Sequence, residues 1–390
     1  MHIGHFTNTY FPTISGVVRQ ISALRQAHLE LGHQVSIFTQ SSHGYGERES
    51  QIFHYPTSSF TMPMDFPLIF PYSPNVNRRL PALHLDIIHA HHPFVLGQVA
   101  LAKARELGLP VVFTFHTLYW EHSHFFPINF PFVQMLVKDV IHYRLRQFLK
   151  NCHLIVVYTE TIRDLLIQKF GIEGQVFIVP TGIDLAPYQK ISQTRLCDRM
   201  RRAGGLTMIS VGRLSLEKNW HTLIRAAYLV MQTHPKFRLV LIGDGPQRKE
   251  LEYYVAELGI TGQVDFLGKV GFEGIPEYLM AADMFGFAST TETIGRVTME
   301  AMAAGLPVVA VNAAGTRDLV THGRDGLLTD NNIHALAGAI RLLLDNVELR
   351  QEFGRAASRK AGNFDVKKEA QKMLDVYYNA IDVYGRLNKI

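Results

Sequence analysis

Two glutamates, Glu292 and Glu300, stand eight residues apart in the stretch TETIGRVTMEAMAAGLP, with Gly295 between them. The residues after Gly295 are mostly strong helix formers, and Gly305 followed by Pro307 is typical of a helix end. The pattern predicts a turn and then a helix that begins near Gly295. One carboxylate would precede this helix, and the other would lie about two turns along it.

A helix that begins in this way suits a phosphate group, because its first N–H groups lack partners within the helix and its dipole is positive at this end. Thr291 or Thr293 is the candidate side-chain cap. Two carboxylates beside such an anion site can hold the hydroxyl groups at both ends of an elongated ligand that carries a diphosphate. A sugar nucleotide has this shape. The spacing alone is equally compatible with a surface helix that carries two solvated glutamates.

The same stretch resembles the donor-site signature of the family-4 retaining glycosyltransferases, which have the GT-B fold. The resemblance implies that Glu300 binds the ribose hydroxyls and that Glu292 binds hydroxyls of the transferred sugar, with a catalytic role. Arg296 is unusual inside this motif and leaves the donor geometry open. The resemblance also implies backbone contacts to the diphosphate around four residues, namely Ile294, Gly295, Arg296 and Val297.

A second charged segment, VGRLSLEKN, places Gly212, Arg213 and Lys218 on a loop between a predicted strand and a predicted helix. Arginine and lysine on a loop are ordinarily just solvated. The segment is similar to a family-4 string, and that resemblance implies that Arg213 and Lys218 neutralise the departing diphosphate, which is preorganised electrostatic catalysis. Gly243 in GDGP and Val270 in GKV are assigned to the donor site through the same resemblance, the latter near the nucleotide base.

In the first half of the chain, Gly16 and His116 are the candidate site residues. Gly16 precedes a predicted helix, where it permits either a close approach by a phosphate or only a tight turn. The resembled family commonly has a Gly-Gly pair here, whereas this chain has Ser15 and Gly16. His116 follows a predicted strand, 111–115, at the edge where open α/β sheets bind ligands. Its position matches the family's active-site histidine, which implies a contact with the donor sugar.

Metal chemistry is not expected. His89, His91 and His92 resemble a metal cluster, but they straddle the end of a predicted strand and no carboxylate completes the set. The chain contains no Asp-x-Asp, the metal–diphosphate motif of the other main glycosyltransferase fold. We predict no metal site, no cofactor besides the nucleotide-sugar substrate and no requirement for a divalent cation, because Arg213 and Lys218 can replace the cation.

Strand and helix patterns alternate through the 390 residues, which predicts an α/β protein with parallel sheets and about two domains. The GT-B resemblance covers nearly the whole chain and implies two Rossmann-like, doubly wound parallel-sheet domains that face a cleft. We predict an acceptor-side domain over 1–190 and a nucleotide-sugar domain over 206–365, with a polar linker between them. A C-terminal helix, 366–390, is expected to cross back to the first domain.

Residues 125–150 (FFPINFPFVQMLVKDVIHYRLRQFLK) begin at Phe125, end at Lys150 and contain a predicted amphipathic helix with a basic edge. Such a helix can lie on an anionic membrane surface, although an ordinary core-facing helix has the same pattern. The aromatic and proline-rich residues 60–74 show no strand or helix period. We expect a long loop there that helps to line an apolar acceptor entrance.

The composition is that of a globular protein, with 47% hydrophobic and 19% charged residues. The N-terminus lacks the features of a signal peptide, and two cysteines without a CxxC pattern fit a reducing cytoplasm. A net charge of +5 leans towards anionic partners. We expect a cytoplasmic protein, peripheral on the inner face of the cell membrane. Dispersed basic residues without a groove-reading motif argue against a nucleic-acid partner.

With the resemblance, these residues predict a retaining hexosyltransferase that moves glucose from UDP-glucose to a lipid such as diacylglycerol. The strings HTLY and ISGVV most resemble the diacylglycerol glucosyltransferases of the family. Alternatives are the same chemistry on phosphatidylinositol, on a soluble sugar or on a polysaccharide precursor, and a GT-B sugar-nucleotide epimerase. A catalytically silent binding protein is disfavoured, because all the candidate catalytic residues (His116, Arg213, Lys218 and Glu292) are present.

Overall fold

A computed structural model describes residues 1–13, 15–41, 51–62, 66–120, 131–189 and 205–387. The chain forms two compact units. Unit 1 consists of Met1–Gly182 and Val366–Ile390, and unit 2 of Ile183–Asp365. The boundary thus precedes the polar stretch predicted as a linker, and that stretch lies almost wholly outside the described residues.

Unit 1 contains a parallel sheet of seven strands and a separate antiparallel hairpin. The four central strands of the sheet are short and buried throughout, as expected where helices cover both faces of a parallel sheet. In chain order the strands are β1 (His2–Phe6), β2 (Gln34–Gln40), β3 (Ile52–Tyr55), the hairpin strands β4 (Thr57–Met62) and β5 (Phe66–Ile69), β6 (Ile87–Ala90), β7 (Val111–Thr114), β8 (Leu154–Val157) and β9 (Val176–Ile178). The spatial order of the sheet is β3-β2-β1-β6-β7-β8-β9.

The helices of unit 1 connect these strands. They are α1 (Gly16–Glu30), α2 (Pro74–Arg79), α3 (Leu96–Leu107), α4 (Pro131–Lys150) and α5 (Glu160–Phe170), with a 3-10 turn at Leu80–Leu83. Local sequence explains where two of them begin: the Ser15 hydroxyl accepts from the Val18 N–H at the start of α1, and Thr159 caps α5 in the same way.

Unit 2 contains a parallel sheet of six strands in the order β12-β11-β10-β13-β14-β15. The strands are β10 (Thr207–Val211), β11 (Arg238–Ile242), β12 (Val264–Gly268), β13 (Met284–Phe287), β14 (Val308–Val311) and β15 (Gly326–Thr329). The helices are α6 (Ala186–Gln189), α7 (Trp220–Met231), α8 (Arg248–Glu257), α9 (Ile275–Ala281), α10 (Arg296–Ala303), α11 (Thr316–Leu319), α12 (Ile333–Asp345) and α13 (Val347–Ala361), with a 3-10 turn at Leu216–Lys218.

The last helix, α14 (Val366–Leu387), belongs to unit 1. One apolar stripe of this helix, which includes Met373 and Tyr377, packs into the same core as Ile21 and Leu24 of α1. Alternate side chains of the central strands complete this core, so α1 and α14 together cover one face of the sheet.

The prediction of an irregular loop over 60–74 was wrong. Residues 60–62 belong to β4 and residues 66–69 to β5, the two strands pair antiparallel, and α2 begins at Pro74. Its prolines suggested a loop, but an edge strand tolerates a proline where no ladder N–H is needed. Across the described ranges, no helix combines the length and apolar composition that crossing a bilayer requires.

Candidate active site

The sheet of unit 2 reverses its strand order between β10 and β13. The chain continues from β10 to β11 and β12 on one side, whereas β13, β14 and β15 lie on the other. Ligands of open α/β sheets bind beyond the carboxyl ends of the strands at such a reversal. The loops that leave β10 and β13 carry the charged residues singled out in the sequence, Arg213, Lys218 and Glu292. The topology therefore brings both segments to one place.

Lys218 and Glu292 are in direct contact. The Lys218 ammonium donates to Glu292 Oε1, and the Ser289 hydroxyl donates to the same oxygen over 2.7 Å. The Lys218 and Glu292 side chains are 22% and 15% exposed, so the pair is sheltered but open to a ligand. Ser289 was not predicted. Its signal was its place at the end of β13, three residues before Glu292.

The backbone between the two glutamates begins helix α10 as predicted, but without a side-chain cap. Gly295 occupies the N-cap position at φ 75°, a left-handed conformation that favours glycine. No side-chain hydrogen bond caps the helix, so the prediction of a Thr291 or Thr293 cap was wrong. In the first turn of α10, the Thr298 N–H donates to the Gly295 carbonyl oxygen over 2.9 Å. Ile294 and Val297 flank this start.

Glu300 lies inside α10 with a fully buried side chain. Arg296 is one turn earlier, and its Nε is 3.5 Å from Glu300 Oε1. A buried carboxylate is strongly disfavoured unless cations or donors compensate it, and this guanidinium is the cation beside Glu300. The unusual Arg296 of the motif is thus a neighbour of the carboxylate predicted to bind ribose.

Gly243 has a packing reason to be glycine. A Cβ at this position would lie 1.9 Å from the Gly212 carbonyl oxygen, and the backbone has φ 138°. The loops after β10 and β11 therefore touch backbone to backbone. Val270 follows β12 at the sheet edge and packs beside Gly274. The donor-binding roles of Gly243 and Val270 stay predictions.

A further glycine, Gly315, supports the loop that carries Glu292. It has φ 75°, and a Cβ there would lie 2.6 Å from the Glu292 carbonyl oxygen and 2.8 Å from the Ile294 nitrogen. The loop after β14 therefore packs directly against the backbone of residues 292–294. The sequence showed this glycine only as part of NAAGTRDLV, with no sign of its partner.

In unit 1, Gly16 and His116 lie at loops that follow strands. Gly16 is the first residue of α1, and a Cβ there would meet no atom within 4 Å. Nothing within the described part of the chain thus requires glycine at this point. His116 follows β7 and is buried, and both its ring nitrogens have partners: Nδ1 lies 2.6 Å from Tyr158 Oη, and Nε2 lies 2.9 Å from His91 Nδ1.

The histidines of this sheet form a buried cluster. Ring nitrogens of His5, His89 and His91 lie within 4.8 Å of one another, a spacing that could hold a metal ion. However, His89 already contacts the Tyr377 and Thr114 hydroxyls, each at 2.7 Å, and His5 Nδ1 lies 2.7 Å from His91 Nε2. The arrangement is accounted for by hydrogen bonding among neutral rings. His92, the third residue of the predicted cluster, instead accepts from the Asn8 N–H.

Known proteins share both halves of this architecture. Residues 200–360 match the family of group 1 glycosyl transferases, and residues 14–187 match Glycosyltransferase Family 4. An alpha-monoglucosyldiacylglycerol synthase of Streptococcus pneumoniae is 33% identical over 348 residues, which cover 87% of this chain and 77% of that protein. The chain belongs to the family-4 glycosyltransferases. It is therefore an enzyme that transfers a sugar.

Two further comparisons support the fold and family of this glycosyltransferase. An alpha-monoglucosyldiacylglycerol synthase of Acholeplasma laidlawii is 29% identical over 402 aligned positions, covering 100% of both chains. The crystal structure of Anabaena Alr3699/HepE in complex with UDP and glucose has a TM-score of 0.77 at 22% identity, covering 97% of this chain and 100% of that one. The predicted α/β GT-B fold with two parallel sheets is confirmed. Other relatives are named for other substrates, among them D-inositol 3-phosphate.

Buried histidines should make unit 1 of the glycosyltransferase sensitive to acid. Burial lowers the pKa of His5 to about 3 and those of His28 and His92 to about 4. The unfolded chain protonates these rings below about pH 6.5, whereas the folded chain does not. The free energy of unfolding is therefore highest above that pH. It falls as the pH drops, by about 1 kcal/mol per pH unit for each ring.

The measurement is urea unfolding between about pH 6 and 5, followed by hydrogen exchange of unit 1 amides. In His28→Gln the amide can still donate to the Ala370 carbonyl, which His28 Nε2 contacts at 3.1 Å. This variant should flatten the dependence of stability on pH by about 1 kcal/mol per pH unit. His334→Gln, at an exposed site of α12, should leave the slope unchanged. An unaltered slope in His28→Gln would contradict the prediction.

Proposed function

We propose that this glycosyltransferase moves glucose from UDP-glucose to the hydroxyl group of a membrane lipid of the diacylglycerol type, with retention at the anomeric carbon. The observation that carries the donor half of the proposal is the contact between Lys218 and Glu292 at the strand-order reversal of unit 2. The acceptor half is supported by the names of the relatives and by an exposed apolar helix face in unit 1.

Two kinds of group hold the donor: cations and N–H groups bind its diphosphate, and carboxylates bind its hydroxyl groups. The diphosphate binds Arg213, Lys218 and the first N–H groups of α10, because a helix start and two cations together suit an anion. Glu300, which is buried in α10, binds ribose hydroxyls. Glu292 binds hydroxyls of the transferred sugar, and the Ser289 hydroxyl orients it.

The reaction forms a bond between the acceptor oxygen and the anomeric carbon while the bond from that carbon to the β-phosphate oxygen breaks. Both events take place on one face of the sugar. The acceptor proton passes to the departing phosphate oxygen, so the products are a glucolipid and UDP. Lys218 and Arg213 stabilise the negative charge that develops on the diphosphate. From unit 1 we assign Gly16 to a diphosphate contact and His116 to a contact with the donor sugar.

Helix α4 supports the lipid acceptor. Its C-terminal part packs into the core through Leu145, Phe148 and Leu149, as a core-facing helix would. Its earlier part instead leaves four large apolar side chains more than half exposed: Met135, Leu136, Val140 and Tyr143. The exposed basic residues Lys138, Arg144, Arg146 and Lys150 lie on the same helix.

This surface of α4 suits an anionic membrane, because its apolar side chains can enter the interface beside basic groups that face the headgroups. We therefore assign the enzyme to the inner face of the cell membrane. The segment before Pro131 lies outside the described residues.

The substitution Val140→Glu tests this surface. It should weaken binding to vesicles of anionic lipid about tenfold, because an apolar side chain is lost and a like charge is introduced. Val347→Glu is a matched control: Val347 is 52% exposed on unit 2, against 53% for Val140. Sedimentation with anionic and with neutral vesicles measures both variants. Equal binding by the two variants would contradict the assignment of α4.

The donor half is tested with purified protein and a panel of nucleotide sugars, by release of nucleoside diphosphate. UDP-glucose should be the best donor, and a chelator should leave the rate unchanged, since Arg213 and Lys218 replace a divalent cation. Loss of activity with chelator and recovery with a divalent cation would overturn the metal-independent mechanism. Free epimer formation without an acceptor would indicate an epimerase instead.

A further inference from the structure

Four strand-end side chains form a row across the sheet of unit 1. His5 lies in β1, His91 and His116 follow β6 and β7, and Tyr158 follows β8. These strands are neighbours in the order β1-β6-β7-β8. Alternate residues of a strand point to one face, and His5 is the register partner of His89, two residues before His91. The row thus runs along the carboxyl edge, on the face that α1 and α14 cover.

Hydrogen bonds join this row from end to end. His5 Nδ1 lies 2.7 Å from His91 Nε2, His91 Nδ1 lies 2.9 Å from His116 Nε2, and His116 Nδ1 lies 2.6 Å from Tyr158 Oη. All four side chains are buried. A neutral imidazole has one donor and one acceptor nitrogen, so the direction of one hydrogen bond determines the direction of the next.

The row continues to helix α14. The Tyr158 hydroxyl donates to Gln20 Oε1, and Gln20 Nε2 donates to Glu369 Oε1 over 2.7 Å. The backbone N–H of Gly182 donates to the other oxygen of Glu369, also over 2.7 Å. The Glu369 side chain is buried, and donors on both its oxygens are what an ionised carboxylate requires.

An ionised Glu369 sets the direction of every bond in the row, because it can only accept. Gln20 must turn its NH₂ group to Glu369 and its oxygen to Tyr158. Tyr158 then gives its only proton to Gln20, so its oxygen accepts from His116 Nδ1–H. His116 Nε2 carries no proton and accepts from His91.

The free end of the row favours the same direction. His5 Nε2 is buried and has no hydrogen-bond partner among the described residues. In the direction set by Glu369 this atom is an acceptor, whereas in the opposite direction it would be a buried N–H without a partner. Orphaned buried N–H groups are rare in proteins, and unsatisfied acceptors are less so.

We propose that Glu369, acting through Gln20 and Tyr158, holds His116 in the tautomer that is protonated on Nδ1 and presents Nε2 as a hydrogen-bond acceptor. Glu369, Gln20 and Tyr158 are positioning residues. Burial supports the neutral state, since it lowers the pKa of His116 well below its ordinary value, and the nearby His92 lowers it further.

The consequence for sugar transfer rests on the proposed function of His116. A neutral His116 with an acceptor at Nε2 can receive a hydrogen bond from a hydroxyl of the donor sugar, in place of the one from His91. It cannot act as a cation towards the diphosphate. That charge is left to the lysine and arginine of unit 2.

The test is ¹⁵N NMR of the full chain labelled at histidine, because the two ring nitrogens of a neutral imidazole differ in shift according to which one is protonated. The His116 signals are those lost in His116→Gln. Glu369→Gln keeps the shape of the side chain but adds a donor, which allows the hydrogen bonds of the row to reverse their direction. Tyr158→Phe removes the acceptor of the Nδ1 proton. Asp375→Asn, at an exposed site on the same helix, is the matched control.

The wild-type chain and Asp375→Asn should show His116 protonated on Nδ1, and Glu369→Gln and Tyr158→Phe should populate the Nε2-protonated form. A wild-type His116 protonated on Nε2, or a Glu369→Gln spectrum identical to that of wild type, would overturn the proposal.

Activity separates this proposal from the proposed function. If His116 contacts the donor, Glu369→Gln should lower kcat by about tenfold, the size of one hydrogen bond. If the NMR result holds but neither Glu369→Gln nor His116→Gln changes turnover, the tautomer assignment stands and the role of His116 in transfer fails.

Discussion

Replacing Lys218 with methionine is expected to lower kcat for sugar transfer by about 10²–10³-fold, the usual cost of losing one preorganised charge-stabilising group. Lys218 is sheltered, lies at the strand-order reversal of unit 2 and contacts Glu292. Methionine keeps most of the length of the side chain and removes the charge. The loss should fall mainly on kcat, because charge on the diphosphate grows as its bond to the sugar breaks.

Lys249→Met is the control for this substitution. Lys249 is an exposed lysine on α8 of the same unit, so its loss changes the net charge equally. Its kcat should stay close to that of wild type. Steady-state rates of UDP release give both values. A Lys218→Met enzyme that loses no more activity than Lys249→Met would show that Lys218 does not stabilise the leaving group.

Gly315→Ala is expected to damage both the activity and the stability of the enzyme. The new Cβ would lie 2.6 Å from the Glu292 carbonyl oxygen, so the 292–294 backbone must move. A displacement of catalytic groups by about 1 Å costs on the order of 10²-fold in rate. Overpacking also destabilises the fold, by about 1–3 kcal/mol. We expect weaker UDP binding, a lower kcat and a lower free energy of unfolding.

Gly323→Ala separates the clash from the backbone strain. Gly323 has the same φ of 75°, but a Cβ there would meet nothing within 4 Å. This control should therefore lose only the stability that a left-handed alanine costs, about 1–2 kcal/mol, and should keep its activity. Calorimetric binding of UDP and thermal unfolding compare the two variants. Equal effects in both would mean that Gly315 does not support the Glu292 loop.

Much of the fold could be predicted because each buried strand is a short apolar run. The strand predicted at 111–115 is observed as β7, Val111–Thr114, and the C-terminal helix predicted over 366–390 is observed as α14, Val366–Leu387. Helix α13 was missed, since its many charged residues obscure the apolar stripe that includes Phe353, Ala357 and Ala361. The β4–β5 hairpin was missed because its prolines mimic a loop.

The candidate site was predictable only where its residues are close in sequence. Glu292, Gly295 and Glu300 belong to one motif, and Lys218 belongs to another. The contact between Lys218 and Glu292 depends on the pairing of β10 with β13, which no local pattern reveals. The missed residues depend on distant pairing too: Gly315 touches a loop more than twenty residues earlier in the chain, and Glu369 reaches Gln20 from the last helix.

Transfer of glucose to a lipid is tested by analysis of the reaction products. The enzyme is incubated with UDP-glucose and mixed micelles with or without diacylglycerol, and the lipid extract is analysed by mass spectrometry and anomeric NMR. We expect an α-glucosyl lipid that requires diacylglycerol and is absent with Glu292→Gln. Glucose transfer to a soluble sugar at a rate that lipid does not raise would contradict the lipid acceptor. Absence of turnover with every nucleotide sugar would contradict the donor site itself.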